Sequence, residues 1–123
     1  MIVGIGVDVV HVRRIEHWLS VPGLTERFFH PLELSTALSR GSSAALSLAA
    51  RFAAKEALGK ALGTGLMGIR LADIRVINNH NGQPGMELYG SALARFQASG
   101  AKTIHLSLTH ERDNAIAMIV MEA

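Results

Sequence analysis

The sequence predicts a small single domain of the α+β class, in which a mainly antiparallel sheet packs on a long helix. Three observations support this class. The length of 123 residues suits one hydrophobic core. Residues 9–62 carry apolar side chains mostly at helical spacing, and residues 74–121 change to short β-rich runs separated by turn residues. We therefore expect one α+β domain that spans residues 1–123.

The first elements are a strand and a helix. Residues 2–7 interleave β-branched residues with glycine, which predicts a buried strand that ends at Asp8. In residues 9–19 the apolar side chains recur at helical spacing, while arginine, glutamate and histidine can face water. Pro22 and Gly23 then end this helix.

A series of helices follows as far as residue 63. Residues 24–29 predict a short helix, and the helix over residues 31–40 starts with a proline suited to the first helical position. Residues 41–43 are Gly-Ser-Ser, a break with a serine available as N-cap. The longest predicted helix covers residues 44–62, because this segment is rich in alanine and leucine, lacks proline and ends at Gly63.

The rest of the chain predicts four strands and one helix. A turn-rich segment over residues 78–85 joins the first two strands, and polar residues over 111–114 join the last two. The strands are predicted near residues 74–76, 86–89, 103–109 and 115–121, and the helix over residues 91–98, before Gly100.

Composition excludes several classes of function. Twelve Lys and Arg against ten Asp and Glu give a formal charge of +2, too small to indicate nucleic-acid binding. The absence of cysteine excludes disulfides, thiolate zinc sites and a cysteine nucleophile. No segment resembles a secretion signal or a membrane span, so we expect a cytoplasmic protein without a membrane partner. Local basic groups could receive an acidic partner or phosphates, namely Arg13, Arg14, Arg27, Arg51, Lys55 and Lys60.

The long predicted helix presents a stripe of interest. Phe52, Glu56 and Lys60 are four residues apart and therefore lie on one helix face. The ordinary interpretation is a solvent-exposed Glu-Lys pair worth about 0.2–0.5 kcal/mol, without function. Alanines surround the stripe, and Gly59 stands inside the helix at a cost of about 1 kcal/mol relative to alanine. Such small residues would let another backbone or a bulky ligand approach closely.

Asp8 allows two interpretations. It could be the N-cap of the helix that starts at Val9. A buried carboxylate also needs a cation, hydrogen-bond donors or solvent. Together with Glu56 it would form a two-carboxylate site suited to magnesium, a hard ion that retains water and binds substrate phosphates. Sequence spacing leaves both interpretations open.

Motifs in a fixed order carry a resemblance that covers essentially the whole chain. The chain contains GIGVD at 4–8 followed by RIE at 14–16, then RFAAKEALGKALGTG at 51–65 and HLSLTH at 105–110. On these motifs it is identified as a member of the holo-acyl-carrier-protein synthase family. NGQP at 81–84 is similar to the family's Asn-Gly-Lys-Pro turn.

The resemblance implies a function and an assembly. Members of this family are small α+β transferases that move the 4′-phosphopantetheine arm of coenzyme A to a serine of an apo acyl carrier protein. The reaction gives the holo carrier protein and adenosine 3′,5′-bisphosphate, depends on magnesium and serves fatty acid biosynthesis. The resemblance also implies a homotrimer with active sites between neighbouring subunits.

The resemblance assigns roles residue by residue. Asp8 and Glu56 are implied as magnesium ligands, Glu56 and Lys60 as catalytic residues, and Arg14 and Arg27 as residues that face the carrier protein. The implied coenzyme A contacts are Arg51, Lys60, Gly63, Gly65, Ser107, Thr109 and His110. Two positions depart from the family. His11 stands where many relatives have glutamate, and Phe29-His30-Pro31 replaces a more usual helix start that contains threonine.

The general base stays open at this point. Glu56, or a metal-bound water polarised by it, is the first candidate for removing the serine proton, although a metal-bound carboxylate is a weakened base. Among the histidines, His105 and His110 are an odd number of residues apart and would point to opposite faces of a strand. His110, at the strand end, is the better candidate for a ligand contact.

Two other functions compete with transfer. One is a non-catalytic binding module that holds a nucleotide-bearing ligand or an acidic protein through Arg14 and Arg27. The other is a magnesium-dependent phosphohydrolase, because two carboxylates and a lysine also suit attack by water.

Overall fold

The fold is a long helix laid across an antiparallel sheet. The computed structural model describes residues 1–123 and confirms the α+β class. No helix in it combines the length and the apolar character needed to cross a membrane. The helices are α1 (Val12–Leu19), α2 (Pro31–Leu38), α3 (Ala44–Leu62) and α4 (Gly90–Ala98), and the strands are β1 (Ile2–His11), β2 (Ile74–Asn78), β3 (Pro84–Leu88), β4 (Thr103–His110) and β5 (Asn114–Glu122).

Two sheets are present, and all their strand pairs are antiparallel. The larger sheet has the order β1-β5-β4, so the central strand is the last one in the chain. Its register places Met118 between Val7 on one side and Ser107 on the other. The smaller sheet is the hairpin of β2 and β3. The sequence therefore predicted the strands and their antiparallel character.

Helix α3 packs directly on β1 through small residues. A Cβ added at Gly4 or Gly6 would lie 2.1 or 2.0 Å from the carbonyl oxygens of Ala61 and Ala57, respectively. The two backbones therefore touch, which only glycine and alanine permit. This contact belongs to a single cluster of 24 buried apolar residues, which also takes in side chains of β5 and α1.

The two ends of α3 differ in how well the sequence predicted them. The helix covers Ala44–Leu62 and ends at Gly63, whose φ of +78° is the left-handed conformation expected of a C-terminal glycine. Ser43 occupies the N-cap position as predicted, but its side chain makes no capping hydrogen bond, and a one-turn 3-10 helix over Gly41–Ser43 leads into α3.

The start of the chain corrects two predictions. Strand β1 continues to His11, so Asp8 lies within the strand and not at its end, and α1 begins only at Val12. The N-cap interpretation of Asp8 is therefore wrong. The reason is pairing with β5, since Asp8 lies opposite Ala117 in a ladder that continues to His11. The helix predicted over residues 24–29 also shrinks, to a single 3-10 turn.

A buried ion pair fixes α2 to α3. Lys55 has no exposed surface, and its ammonium donates to Glu33 Oε1 at 2.6 Å and to the carbonyl oxygens of Phe28 and Leu71 at 2.7 and 2.9 Å. Burial lowers the pKa of Lys55, and the Glu33 carboxylate opposes that shift. Lys55 is thereby excluded from the basic groups that could receive an outside partner.

The start of α2 shows what replaces the threonine expected there. His30 is the N-cap, and its Nδ1 accepts a hydrogen bond from the Leu32 N–H at 3.0 Å. The Glu33 carboxylate accepts from the His30 N–H at 3.0 Å, which completes a reciprocal cap. Pro31 occupies the first helical position as predicted.

Candidate active site

Asp8 and Lys60 meet where the free edge of β1 lies against α3. The Lys60 ammonium donates to Asp8 Oδ1 at 3.0 Å and to the Val7 carbonyl oxygen at 3.0 Å. The Asp8 side chain is only 18% exposed, whereas that of Lys60 is 54% exposed. Asp8 is on the same side of β1 as Gly4 and Gly6, which touch α3. A half-buried carboxylate and an accessible cation therefore share this edge.

Glu56 joins this pair from the previous turn of α3. It is half-buried, and burial raises its pKa, with the negative charge of Asp8 as the second cause. The positive charges of Arg14 and Lys60 act in the opposite direction. The two carboxylates are thus close enough to interact. The ordinary interpretation of Glu56 and Lys60 as a surface pair is wrong, because Lys60 binds β1 instead.

The chemistry of these donors fits a magnesium ion. Asp8 and Glu56 offer hard carboxylate oxygens, and their mutual repulsion is what a divalent cation would relieve. The chain contains no cluster of three or more metal-ligating side chains. A two-carboxylate set nevertheless suits magnesium, which usually keeps several waters and binds substrate phosphates. His11 is an odd number of residues from Asp8 and points to the other face of β1, so it adds no ligand there.

Arg51 and His110 come together in a different place. Both line a cleft of about 600 Å³ between α3, the β2–β3 turn and the end of β4. Arg51 is 5% exposed and donates to Ser47 Oγ at 2.7 Å, while its Nε has no hydrogen-bond partner. Burial lowers the pKa of Arg51, and the nearby charge of Arg40 acts in the same direction. The Glu33 carboxylate opposes this shift. Because Arg40 also lines the cleft and no acidic side chain does, the lining suits an anion.

The third sequence motif is divided between the two faces of the sheet. Leu108 and His110 line the inner cleft, whereas Ser107 and Thr109 alternate to the outer, exposed face. His105 is also exposed, and its Nε2 lies 2.5 Å from Glu122 Oε1. It is on the outer face whereas His110 lines the cleft, as their odd spacing predicts. Within one chain, Ser107 and Thr109 are thus separated from Asp8 and Glu56 by the sheet.

The remaining predicted residues lie on the loop after α3, on α1 and in the 3-10 turn before α2. Gly63 and Gly65 belong to the exposed loop that follows α3, and both have positive φ angles. The Arg14 guanidinium lies 5.1 Å from the ring centroid of Trp18 and 5.2 Å from that of Phe52, which fixes a cation beside Glu56. Arg27 is exposed and makes no ion pair.

The sequence reasoning missed the buried polar stripe of α3. Ser47, Arg51 and Lys55 follow one another at intervals of four and are all buried. A signal for it was present, because three polar residues at this spacing sit inside an otherwise alanine-rich helix with no polar face. It also missed Arg95, which contacts the loop after α3.

Comparisons with known proteins agree with this architecture over the full chain. A family model described as the 4′-phosphopantetheinyl transferase superfamily matches residues 4–119. The chain is 54% identical to a holo-[acyl-carrier-protein] synthase of Treponema denticola, over 99% of both chains. Among solved structures, the holo-[acyl-carrier-protein] synthase of Neisseria meningitidis has a TM-score of 0.88 at 34% identity, covering 100% of both chains. The synthase of Bacillus anthracis, solved in complex with CoA (3′,5′-ADP), has a TM-score of 0.84 at 35% identity, covering 100% of this chain and 98% of that one.

Proposed function

The chain belongs to the holo-acyl-carrier-protein synthase family of the 4′-phosphopantetheinyl transferase superfamily and is a transferase, and we propose that it acts with magnesium on coenzyme A. It moves the 4′-phosphopantetheine arm to a serine of an apo acyl carrier protein and releases adenosine 3′,5′-bisphosphate. We place this reaction in the cytoplasm and in fatty acid biosynthesis.

One observation carries the proposal for the catalytic centre. Two carboxylates from different elements, Asp8 and Glu56, interact beside the accessible ammonium of Lys60. Two neighbouring carboxylates with an accessible lysine ammonium beside them suit phosphoryl-type transfer. Such a reaction depends on positioning the reactants and on neutralising the charge of the phosphate oxygens. Asp8 and Glu56 would hold the magnesium ion. When bound there, the ion supplies positive charge to the phosphate oxygens of the coenzyme.

The chain's own residues divide the remaining work. Two of the three N–H groups of the Lys60 ammonium donate to Asp8 and to the Val7 carbonyl oxygen. The third is left to donate to an oxygen of the transferred phosphate. Glu56, or a metal-bound water that it polarises, is the proposed acceptor of the serine proton. Burial and the Asp8 charge raise the pKa of Glu56 in the metal-free protein, and a bound metal ion would act against this rise. Arg14, held against two aromatic rings, offers a fixed cation to the acidic carrier protein, and exposed Arg27 a second one.

The coenzyme is proposed to bind along three segments. The cleft lined by Arg40, Arg51 and His110 suits its phosphates, because two guanidinium groups reach it and guanidinium groups bind phosphates well. Gly63 and Gly65 offer backbone without side chains, and Ser107 with Thr109 offers hydroxyls from the outer face of the sheet.

A homotrimer with shared active sites is proposed from that outer face. Val3, Ile5, Val7 and Val9 form an apolar row along β1, with Ile5 and Val7 at 64% and 54% exposure, and Met118 of β5 extends it at 50%. Such a patch is typical of a surface that another chain covers. Met118 on the central strand β5 lies between this row and Ser107, so assembly over the whole outer face would bring the hydroxyls of Ser107 and Thr109 toward a neighbouring subunit.

The proposed assembly can be tested by a charge on this row. Val7→Asp should convert the protein to a monomer by light scattering and abolish transfer, while circular dichroism shows an unchanged helix content. Gln97→Asp, at an exposed position of α4, is the control because it adds the same single negative charge elsewhere on the surface. A Val7→Asp protein that stays trimeric, or a wild type that is monomeric and active, would contradict the assembly.

The reaction is tested by the intact mass of the carrier protein. Apo carrier protein incubated with this chain, coenzyme A and magnesium should gain the mass of one phosphopantetheine arm. Asp8→Asn and Glu56→Gln should lose this activity, whereas Glu111→Gln, a matched change on an exposed turn, should keep it. Hydrolysis of coenzyme A without a mass gain would favour the phosphohydrolase, and coenzyme binding without any turnover would favour the binding module.

A further inference from the structure

Arg95 of α4 reaches the loop over residues 63–68 with both ends of its guanidinium group. Its Nη1 donates to Thr64 Oγ1 at 2.7 Å, and its Nη2 donates to the Met67 carbonyl oxygen at 3.1 Å. The two acceptors lie on opposite halves of the loop. A planar group that binds both halves fixes their separation, which a flexible lysine ammonium could not do.

The loop has few other constraints. It is largely exposed, and Gly63, Gly65 and Gly68 all adopt positive φ angles that only glycine takes readily. Two backbone hydrogen bonds join it to α3, from the Gly63 N–H to the Lys60 carbonyl oxygen and from the Gly65 N–H to the Gly59 carbonyl oxygen, both at 3.0 Å. Leu66 is its one side chain that packs against the core. Glycine-rich, exposed backbone retains much conformational freedom unless side chains restrain it. Arg95 supplies the side-chain restraint that comes from outside the loop.

Helix α4, which carries Arg95, is itself held in place by hydrogen bonds at its start. At the start of α4, the Ser91 N–H and hydroxyl both donate to Asp73 Oδ2, at 3.0 and 2.7 Å. The Ser91 hydroxyl oxygen also accepts from the Arg70 N–H at 2.9 Å. These hydrogen bonds lower the pKa of Asp73, in keeping with a stable carboxylate at this corner. Helix α4 is therefore fixed to the segment that immediately follows the loop.

Arg95 binds only neutral acceptors, as Arg51 does within α3, but the acceptors of Arg95 lie in a different segment of the chain. It is partly buried and has no carboxylate partner, so both of its hydrogen bonds go to neutral acceptors of the loop. Because its acceptors are a neutral hydroxyl and a carbonyl oxygen, Arg95 forms no ion pair here. Its hydrogen bonds instead hold the loop in position. Arg95 also lies outside every motif of the sequence, the central one of which ends at residue 65.

We propose that Arg95 is a positioning residue for coenzyme A, because it clamps the loop over residues 63–68 in the conformation that receives the coenzyme. This inference rests on the proposed function, in which Gly63 and Gly65 contact the coenzyme. The clamp acts through Thr64 and Met67, and Arg95 itself touches neither the carrier protein nor the reacting phosphate.

Three variants test the clamp. Arg95→Met removes both hydrogen bonds, and Arg95→Lys keeps the charge without the two-point contact. Thr64→Val keeps the arginine but removes one of its acceptors, together with the hydrogen bond that the Thr64 hydroxyl donates to the Gly65 carbonyl oxygen at 3.1 Å. Two neutral-acceptor hydrogen bonds predict that Arg95→Met raises both the KM and the dissociation constant for coenzyme A about tenfold. We expect about threefold for Thr64→Val and an intermediate rise for Arg95→Lys. The KM for the carrier protein should stay within about twofold.

The control is Arg70→Met, which removes the same charge near the loop from a side chain that makes no hydrogen bond. It should leave the coenzyme constants unchanged. In the double variant, Thr64→Val should add less to Arg95→Met than it costs alone, because both changes break the Arg95–Thr64 contact and only the Thr64–Gly65 hydrogen bond remains to be lost. Thermal melts of all variants show that the fold persists, and Thr64→Val tests the clamp even where Arg95→Met does not fold.

Several results would overturn the inference. Unchanged coenzyme constants in Arg95→Met, wild-type constants in Arg95→Lys, or fully additive effects of the two changes would each exclude a clamp. The dissociation constant is measured by calorimetry with coenzyme A and the protein alone. It therefore tests the clamp independently of turnover, whereas a wild-type protein that never modifies carrier protein would refute the proposed function.

Discussion

Replacing Glu33 by glutamine removes the counter-charge of the buried Lys55 ammonium. The two oxygens of Glu33 serve three donors: Oε1 accepts from Lys55 Nζ at 2.6 Å and from the His30 N–H at 3.0 Å, and Oε2 accepts from the Val76 N–H at 2.8 Å. Glutamine keeps one acceptor oxygen and places an NH₂ group where the other stood. At least one buried donor therefore loses its acceptor, and the lysine keeps only its two carbonyl acceptors.

The magnitude follows from the burial of both groups, neither of whose side chains has exposed surface. Removing one partner of a buried ion pair costs about 3–5 kcal/mol. Domains have total stabilities of about 5–15 kcal/mol, so the loss is a large fraction of the whole. At about 4 °C per kcal/mol for a domain of this size, the melting temperature should fall by about 12–20 °C.

The loss should also depend on pH in a defined direction. Burial lowers the pKa of Lys55 below the value of 10.5 that it has in the unfolded chain, and Glu33 opposes this shift. Without Glu33 the pKa of Lys55 falls further, so the folded protein releases this proton before the unfolded chain does. Stability rises with pH wherever the unfolded state binds more protons. The deficit of Glu33→Gln should therefore be largest near neutral pH and shrink toward alkaline pH.

The assay is urea denaturation followed by circular dichroism at neutral and alkaline pH. Glu87→Gln, which breaks the exposed pair with Arg75, is the control and should cost at most about 1 kcal/mol. The double variant Glu33→Gln with Lys55→Met removes both buried charges and keeps one acceptor oxygen for the His30 or Val76 N–H, so it should recover part of the lost stability. A Glu33→Gln protein as stable as the Glu87→Gln control, or a deficit that does not change with pH, would refute this reasoning.

Three further predictions concern single residues. Burial and the charge of Asp8 raise the pKa of Glu56 above its unfolded value, so its ionised form weakens the metal-free fold at higher pH and the penalty is relieved as pH falls. Glu56→Gln should thus raise the melting temperature of the metal-free protein above that of the wild type, and more so at high than at low pH. A variant that melts below the wild type at high pH would contradict this. His30→Ala should cost about 1 kcal/mol in denaturant titrations because the cap of α2 is lost, whereas His30→Asn should keep most of the stability, and equal losses would exclude the cap. Gly59→Ala should lower the melting temperature and raise the KM for coenzyme A, because the new Cβ would lie 2.8 Å from the Gly65 carbonyl carbon; wild-type values of both would show that the loop can move aside.

Local sequence signals predicted α3 well and β1 poorly. The bounds of α3 follow from alanine and leucine inside the helix and from Gly63 at its end, which are local properties. The end of β1 depends instead on β5, more than a hundred residues later, whose ladder extends the strand to His11. Helical spacing from Val12 onward gave no sign of where the preceding strand would stop.

The candidate site shows the same division. The pairing of Glu56 with Lys60 on one helix face is a local prediction, and the structure overrules it because Lys60 finds Asp8 across the β1–α3 contact. The glycines of β1 hinted at this contact, since they admit the α3 backbone. Strand alternation predicts that Ser107 and His110 lie on opposite faces of the sheet. It does not predict which element packs on each face.

The central claim is that this chain transfers an intact phosphopantetheine arm through a centre built on Asp8, Glu56 and Lys60. The most direct measurement is a single time course that quantifies modified carrier serine by mass spectrometry and released adenosine 3′,5′-bisphosphate by chromatography. We predict that the two products accumulate in equal amounts with the wild type and that neither appears with Glu56→Gln. Bisphosphate without modified serine, or equal transfer by Glu56→Gln, would contradict the account.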